Sequence, residues 1–280
     1  MAQTTLVSTD IVAARLDDPL LRLIDCRFKL DDTSWGEREY ETAHIPGAVY
    51  AHLDRDLSGA KTGTNGRHPL PAAADLAATL GRFGIADDVQ VVAYDQANGM
   101  FASRLWWLLR WMGHRAAAVL DGGLAKWQAE GRPTRSGIEQ ARAVAFHGTP
   151  HDEMVVNARN VATSNALLLD ARAPERYRGE TEPLDKVPGH IPGARNYFFQ
   201  QNVGAGDTFL APDALRGQLT NAIGDAAPAS VICYCGSGVT ACHNLLAMEH
   251  AGLTGARLYP GSWSEWCADP ARPVETGNGS

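Results

Sequence analysis

Basic residues are in the minority: 25 Lys and Arg stand against 32 Asp and Glu, a formal net charge of −7. Non-specific nucleic-acid binding runs on clustered Lys and Arg, so that class is set aside. An anionic small molecule must then be held by local cations rather than by the overall field. Long apolar runs are missing too. The most apolar stretch, Leu105 to Leu109, is broken by Arg110 and falls far short of the roughly 20 residues of a membrane span. The opening MAQTTLVSTDIVAARLDD has neither a basic start nor an apolar core, so no secretory signal is expected. Cysteine is scarce, with Cys26, Cys233, Cys235, Cys242 and Cys267. An odd number at irregular spacing is no disulfide framework. Cys233 and Cys235 are one residue apart, which is not a CxxC pair, and no His/Cys cluster has zinc spacing, so no metal site is expected. These absences point to a reducing, cytoplasmic setting without membrane attachment. What is present, 45% hydrophobic and 20% charged residues, is the composition of a globular protein.

The chain repeats itself. HIPGA occurs at His44–Ala48 and again at His190–Ala194, an offset of 146 residues. The stretch ending Asp25-Cys26-Arg27 matches the one ending Asp170-Ala171-Arg172, VVAYD at 91–95 matches VICYC at 231–235, and DGGLAKW at 121–127 matches PGSWSEW at 260–266. Blocks in the same order with a slowly drifting offset mark a duplication. Two domains are expected, residues 1–138 and 152–280, joined by a linker near 136–153. Within each copy, short β-rich runs (Leu21–Asp25, Val89–Tyr94 and Ala117–Leu120; Leu167–Asp170, Val231–Tyr234 and Ala256–Tyr259) alternate with amphipathic helical stretches (Ala72–Phe83 and Met100–Gly113; Pro212–Ile223 and Val239–Gly252). That alternation predicts an α/β fold, each copy a mainly parallel sheet flanked by helices. Trp106, Trp107 and Trp111 fall on one apolar helical face and are expected in the core or at the domain interface.

Ligands of such sheets sit beyond the carboxyl ends of the strands, and Cys235 stands at such an end. Gly236 and Gly238 follow it and admit backbone conformations other residues resist. Consecutive N–H groups can curl there into an anion nest, at the positive end of the helix that begins near Val239. Such a cradle favours a thiolate, and equally the outer sulfur of a persulfide. A buried, purely structural thiol beside a tight turn fits the same stretch. The matching residue of the first copy is Asp95, so one copy carries a nucleophile and the other does not.

The ordered set of both HIPGA turns, YDQANGMFASRLWWLLRWMGH, LDGGLAKW, RYRGE, CGSGVTAC and GSWSEW resembles the tandem-domain rhodanese-like sulfurtransferases, the family of the 3-mercaptopyruvate and thiosulfate sulfurtransferases. The resemblance implies two rhodanese-like domains, the first inactive and the second carrying Cys235. It also implies covalent sulfur transfer through a Cys235 persulfide, from a small-molecule donor to a thiol, a thioredoxin-like protein or cyanide, with no cofactor. Thiosulfate-preferring members have basic residues after the cysteine. Gly236 and Ser237 are neutral, and the run Gly236, Ser237, Gly238, Val239, Thr240 is similar to the 3-mercaptopyruvate branch, so 3-mercaptopyruvate is the expected donor and thiosulfate the alternative. By the same resemblance Arg176 holds the substrate carboxylate, a task suited to its planar fork. A second arginine is expected nine residues on; that position is Asp185, so either the neighbouring Lys186 substitutes as a point charge or the second contact is absent. Ser237 and His44 are implied as proton-handling partners, although the recurrence of the histidine as His190 argues for a turn role. Two rival classes are a cysteine-dependent phosphatase, which wants Arg where Ala241 stands, and a passive persulfide carrier or binding module.

Overall fold

The computed structural model describes residues 2–279. It divides into two compact units. The first holds the chain up to Ser58, Pro71–His151 and Gly204–Phe209; the second holds Gly59–Leu70, Asp152–Val203 and the chain from Leu210 onward. Two segments therefore pack in a unit other than that of the half of the chain they come from.

In the first unit the elements run β1 (Leu6–Val7), α1 (Thr9–Ala13), β2 (Leu21–Asp25), α2 (Trp35–Thr42), β3 (Val49–Tyr50), α3 (Ala73–Arg82), β4 (Gln90–Tyr94), α4 (Ala102–Trp111), β5 (Ala117–Leu120) and α5 (Gly123–Ala129). The five strands form one sheet in the order β1-β5-β4-β2-β3, and every pairing is parallel. The second unit runs α6 (Ala158–Thr163), β6 (Leu167–Asp170), α7 (Pro174–Tyr177), β7 (Arg195–Asn196), α8 (Pro212–Ile223), β8 (Val231–Tyr234), α9 (Thr240–His250), β9 (Arg257–Leu258) and α10 (Ser262–Trp266). Its sheet order is β7-β6-β8-β9, again parallel. A single parallel bridge from Val155 to Leu258 stands where β1 stands in the first unit. The strands expected at Leu21–Asp25, Ala117–Leu120, Leu167–Asp170 and Val231–Tyr234 are present with those bounds. The central strands β4 and β8 are buried along their whole length, which is why they read as continuous apolar runs. Helices α2 and α7 fall outside the helical stretches expected from the sequence, because each is short and polar. No helix of the described residues is long and apolar enough to cross a membrane.

The repeated motifs have a shared structural reason. Arg27 grips the buried Asp25 carboxylate with two nitrogens, the closest contact 2.7 Å, and its Nη2 also donates to the Ala43 carbonyl. Arg172 does the same with Asp170, and with the Gly189 carbonyl. Each Asp-x-Arg clamp thus ties the end of a central strand to the residue before HIPGA. The tyrosine at the end of the neighbouring strand holds the same turn: Ile45 N–H donates to the Tyr94 hydroxyl at 3.2 Å, and Ile191 N–H to Tyr234 at 3.3 Å. Both anchored strands, β4 and β8, run directly into the loops that carry Asp95 and Cys235. Fully buried Trp127, in the first unit, and Trp263 with Trp266, in the second, fill the cores beneath.

Candidate active site

Cys235 follows β8 directly, and its backbone is held on both sides. Its N–H donates to Ser262 Oγ at 3.1 Å, and its carbonyl accepts from Trp263 N–H at 2.9 Å. Ser262 adopts a φ of +55°, unusual for a residue with a side chain. That conformation lets its hydroxyl bridge Cys235 N–H and the Tyr259 carbonyl. The thiol is buried, with Sγ accepting from Gly238 N–H at 3.1 Å and Ser237 N–H at 3.5 Å. The concave turn exists because Gly238 takes φ +77°, and the Pro260 carbonyl fills the space that a Cβ would need. Val239 caps α9 and Thr240 is its first residue, so the sulfur lies beside the helix N-terminus. Gly236 serves a different need: a methyl there would lie 2.7 Å from Arg67 Nη2 and 3.5 Å from both terminal nitrogens of Arg176. Two guanidinium groups therefore border the cysteine loop.

The other cysteines have no such setting. Burial pushes the Cys26 and Cys233 thiols well up, and Cys267 up as well, with Asp185 adding to the effect on Cys267. Cys242 turns back onto the Gly238 carbonyl at 3.2 Å and braces the loop.

Arg176, on α7, is an ion-pair partner of Glu182 at 2.6 Å and lies 3.5 Å from Asp185. Its buried Nε has no hydrogen-bond partner. Glu182 is fixed in turn by Arg172 and by the N–H groups of Leu184 and Asp185. Lys186 is exposed and lines a cavity of about 380 Å³ together with Lys61, Arg67, Asp185 and Ser264.

Ser237 Oγ hydrogen-bonds a histidine ring at 2.7 Å, and that ring is His68, buried in the same unit. His44 is held otherwise. Its Nδ1 meets the Tyr40 carbonyl at 2.7 Å, its ring stacks on Tyr40, and its backbone pairs with Arg135. His190 repeats this with Tyr177 and Glu275. Both HIPGA histidines are thus held within their own turns, and the ring that meets Ser237 comes from the Gly59–Leu70 segment. A length signal marks that segment. The end of the first HIPGA at Ala48 lies 25 residues before α3, whereas Ala194 lies 18 before α8.

The pattern of the Rhodanese-like domain matches residues 8–130 and again 156–269. The chain belongs to the rhodanese-like family. It is 46% identical to a probable 3-mercaptopyruvate sulfurtransferase of Pseudomonas aeruginosa, over 99% of this chain and 100% of that one. It is 40% identical to a putative thiosulfate sulfurtransferase, SseB, of Mycobacterium tuberculosis, over 93% and 92% of the two chains. The crystal structure of SseA from Escherichia coli, described with the rhodanese fold of 3-mercaptopyruvate sulfotransferases, matches with a TM-score of 0.80 at 32% identity. That match covers 93% of this chain and 99% of SseA.

The first rhodanese-like domain has a longer corresponding loop with a different occupant. The Asp95 carboxylate accepts from the N–H groups of Ala97, Gly99, Phe101 and Ala102 at 2.8–3.1 Å. Its nest is filled by its own side chain. Burial raises the Asp95 carboxyl above its ordinary value, against the opposing pull of those four N–H groups.

Proposed function

We propose that this rhodanese-like chain is a sulfurtransferase that takes sulfur from 3-mercaptopyruvate onto Cys235 and passes it to a thiol, a thioredoxin-like protein or cyanide. The observation that carries the reading is the Cys235 sulfur held by two loop N–H groups, with the Ser237–His68 pair beside it. The Cys235 thiolate attacks the donor sulfur and the donor C–S bond breaks. Its electron pair stays on carbon as the enolate of pyruvate. The donor's thiol proton must leave the sulfur and a proton must reach that carbon, so the balance closes with Cys235 persulfide and pyruvate. Ser237 and His68 supply the acid–base path for this proton. The nest that holds the thiolate also holds the persulfide's outer sulfur anion, which the acceptor then removes, regenerating the thiolate. Arg176 takes the donor carboxylate, with Lys186 at the cavity rim, and no cofactor is required because sulfur rides on the protein. All five cysteines are thiols, in keeping with a reducing, cytoplasmic setting.

Thiosulfate is the second reading, favoured by the two guanidinium groups beside Gly236 and by the thiosulfate-named relative. The test is intact mass after incubation with each donor, followed by steady-state rates with cyanide as acceptor. One added sulfur on Cys235 from 3-mercaptopyruvate, absent in Cys235→Ser, is the expected result. A higher kcat/KM for thiosulfate reverses the donor order, and thiocyanate formation undiminished in Cys235→Ser defeats the mechanism.

A further inference from the structure

The cysteine loop is bordered by Arg67 as closely as by Arg176, although Arg67 is far from it in sequence and lies on no helix or strand. Three contacts fix it there. Its backbone N–H donates to Ser264 Oγ at 3.0 Å, Ser264 N–H donates to the Gly236 carbonyl at 2.9 Å, and its guanidinium pairs with Asp185. Asp185 is itself nearly buried, and its second oxygen lies 3.5 Å from Arg176. One carboxylate thus lies between the two guanidinium groups that face Gly236. Counting Glu182 on Arg176, the four side chains carry no net charge.

We infer that Arg67 is the second guanidinium of the donor site and that Asp185, wedged between it and Arg176, selects singly charged donors over doubly charged ones. Desolvated charges meet strong fields at such a mouth. A carboxylate with one negative charge can share the two arginines with Asp185. A dianionic sulfonate adds a second charge beside a fixed carboxylate and is disfavoured. This assignment rests on the donor-binding reading above and deepens it: the second cation, expected nine residues after Arg176, is supplied from the Gly59–Leu70 segment, and the residue standing at position 185 works in the opposite sense.

The test is made so that it does not depend on which donor is turned over. Iodoacetamide, which is neutral, alkylates Cys235, and the rate is followed by mass of the Cys235 peptide in the presence of pyruvate as monoanion or sulfate as dianion. In Asp185→Asn, which keeps the shape, sulfate should gain protection by about tenfold relative to pyruvate, an advantage that shrinks at high salt. Arg67→Met should weaken protection by both anions about tenfold, and Arg67→Lys should recover part of it as a point charge. In turnover the same variants should move KM more than kcat, and Asp185→Asn should raise thiosulfate use relative to 3-mercaptopyruvate. An anion ratio within twofold of wild type in Asp185→Asn overturns the selectivity role. Unchanged protection in Arg67→Met overturns the binding role. Failure of 3-mercaptopyruvate to load wild-type Cys235 would instead sink the donor reading and leaves the alkylation result to judge Arg67 and Asp185 separately.

Discussion

Replacing Gly238 by Ala separates the cradle from the fold around it. At φ +77° a side chain costs about 1–2 kcal/mol, whatever room is available. There is no room: the added methyl would sit 2.4 Å from the Pro260 carbonyl oxygen and 3.0 Å from its Cα. Both are backbone atoms, which cannot rotate aside. Restoring an ordinary contact of at least 3.4 Å moves the loop by about 1 Å. The Gly238 N–H, now 3.1 Å from Cys235 Sγ, then leaves hydrogen-bond reach. Losing one hydrogen bond to a charged group is worth about 1.5–3 kcal/mol, or roughly 10- to 150-fold in rate. A misplacement of about 1 Å alone can cost about 10²-fold. Single-turnover loading of Cys235, read by intact mass, should therefore slow by about two orders of magnitude, with a lowered melting temperature. Gly236→Ala is the control. Its methyl meets the end of the Arg67 side chain, which can swing away, so melting should be unchanged and only donor KM should rise. Loading of Gly238→Ala within threefold of wild type would refute the view that this N–H holds the sulfur.

His68→Gln should lower transfer from 3-mercaptopyruvate by about 10²- to 10⁴-fold while sparing thiosulfate, whose S–S cleavage releases sulfite without a proton; equal losses with both donors would contradict the relay. His44→Gln should leave turnover intact and cost stability only, through the Tyr40 stack and carbonyl contact. Arg172→Met strands the fully buried Asp170 carboxylate and should remove about 3–5 kcal/mol, read as a fall in urea midpoint; a change below about 1 kcal/mol would deny the clamp its role. Glu130 is held at about 2 by Lys126, Thr9 and Arg132, below its unfolded value, so it stabilises the fold above about pH 4.5 and that contribution is lost as pH falls toward 2. The melting difference between wild type and Glu130→Gln should accordingly be present at pH 6 and vanish near pH 2.

The features legible in the sequence are those that duplication printed twice. Strands ending at Asp25 and Asp170, the HIPGA turns and the cysteine loop each occupy a few adjacent residues, so pattern and repetition suffice to locate them. The clamp that unites them was visible only as matching letters, because Arg27 and Arg172 reach carbonyls 16 and 17 residues away. The rest of the proposed donor site is assembled from still greater distance. His68 meets Ser237 across 169 residues and Arg67 meets Asp185 across 118. Neither pair has a counterpart in the other copy to betray it. His44 stands in a recognisable repeated motif, whereas His68 stands in a segment with no repeat partner.

The same comparison explains how one loop carries a carboxylate in place of the thiol and keeps its structure. An anion nest needs an anion in order to keep several N–H groups satisfied in a buried place. Asp95 meets that need permanently: four N–H groups converge on its two oxygens, and α4 begins seven residues beyond it. Around Cys235 the loop is shorter, with α9 beginning five residues on, and two N–H groups reach Sγ. A carboxylate brings its second oxygen with it; a thiolate has a single acceptor atom and becomes a two-atom acceptor only when sulfur is added. The persulfide is thus the closer electrostatic analogue of the Asp95 carboxylate, with its outer sulfur in the part played by the second oxygen. On that reasoning the proposed persulfide would fill the second loop as the Asp95 carboxylate fills the first.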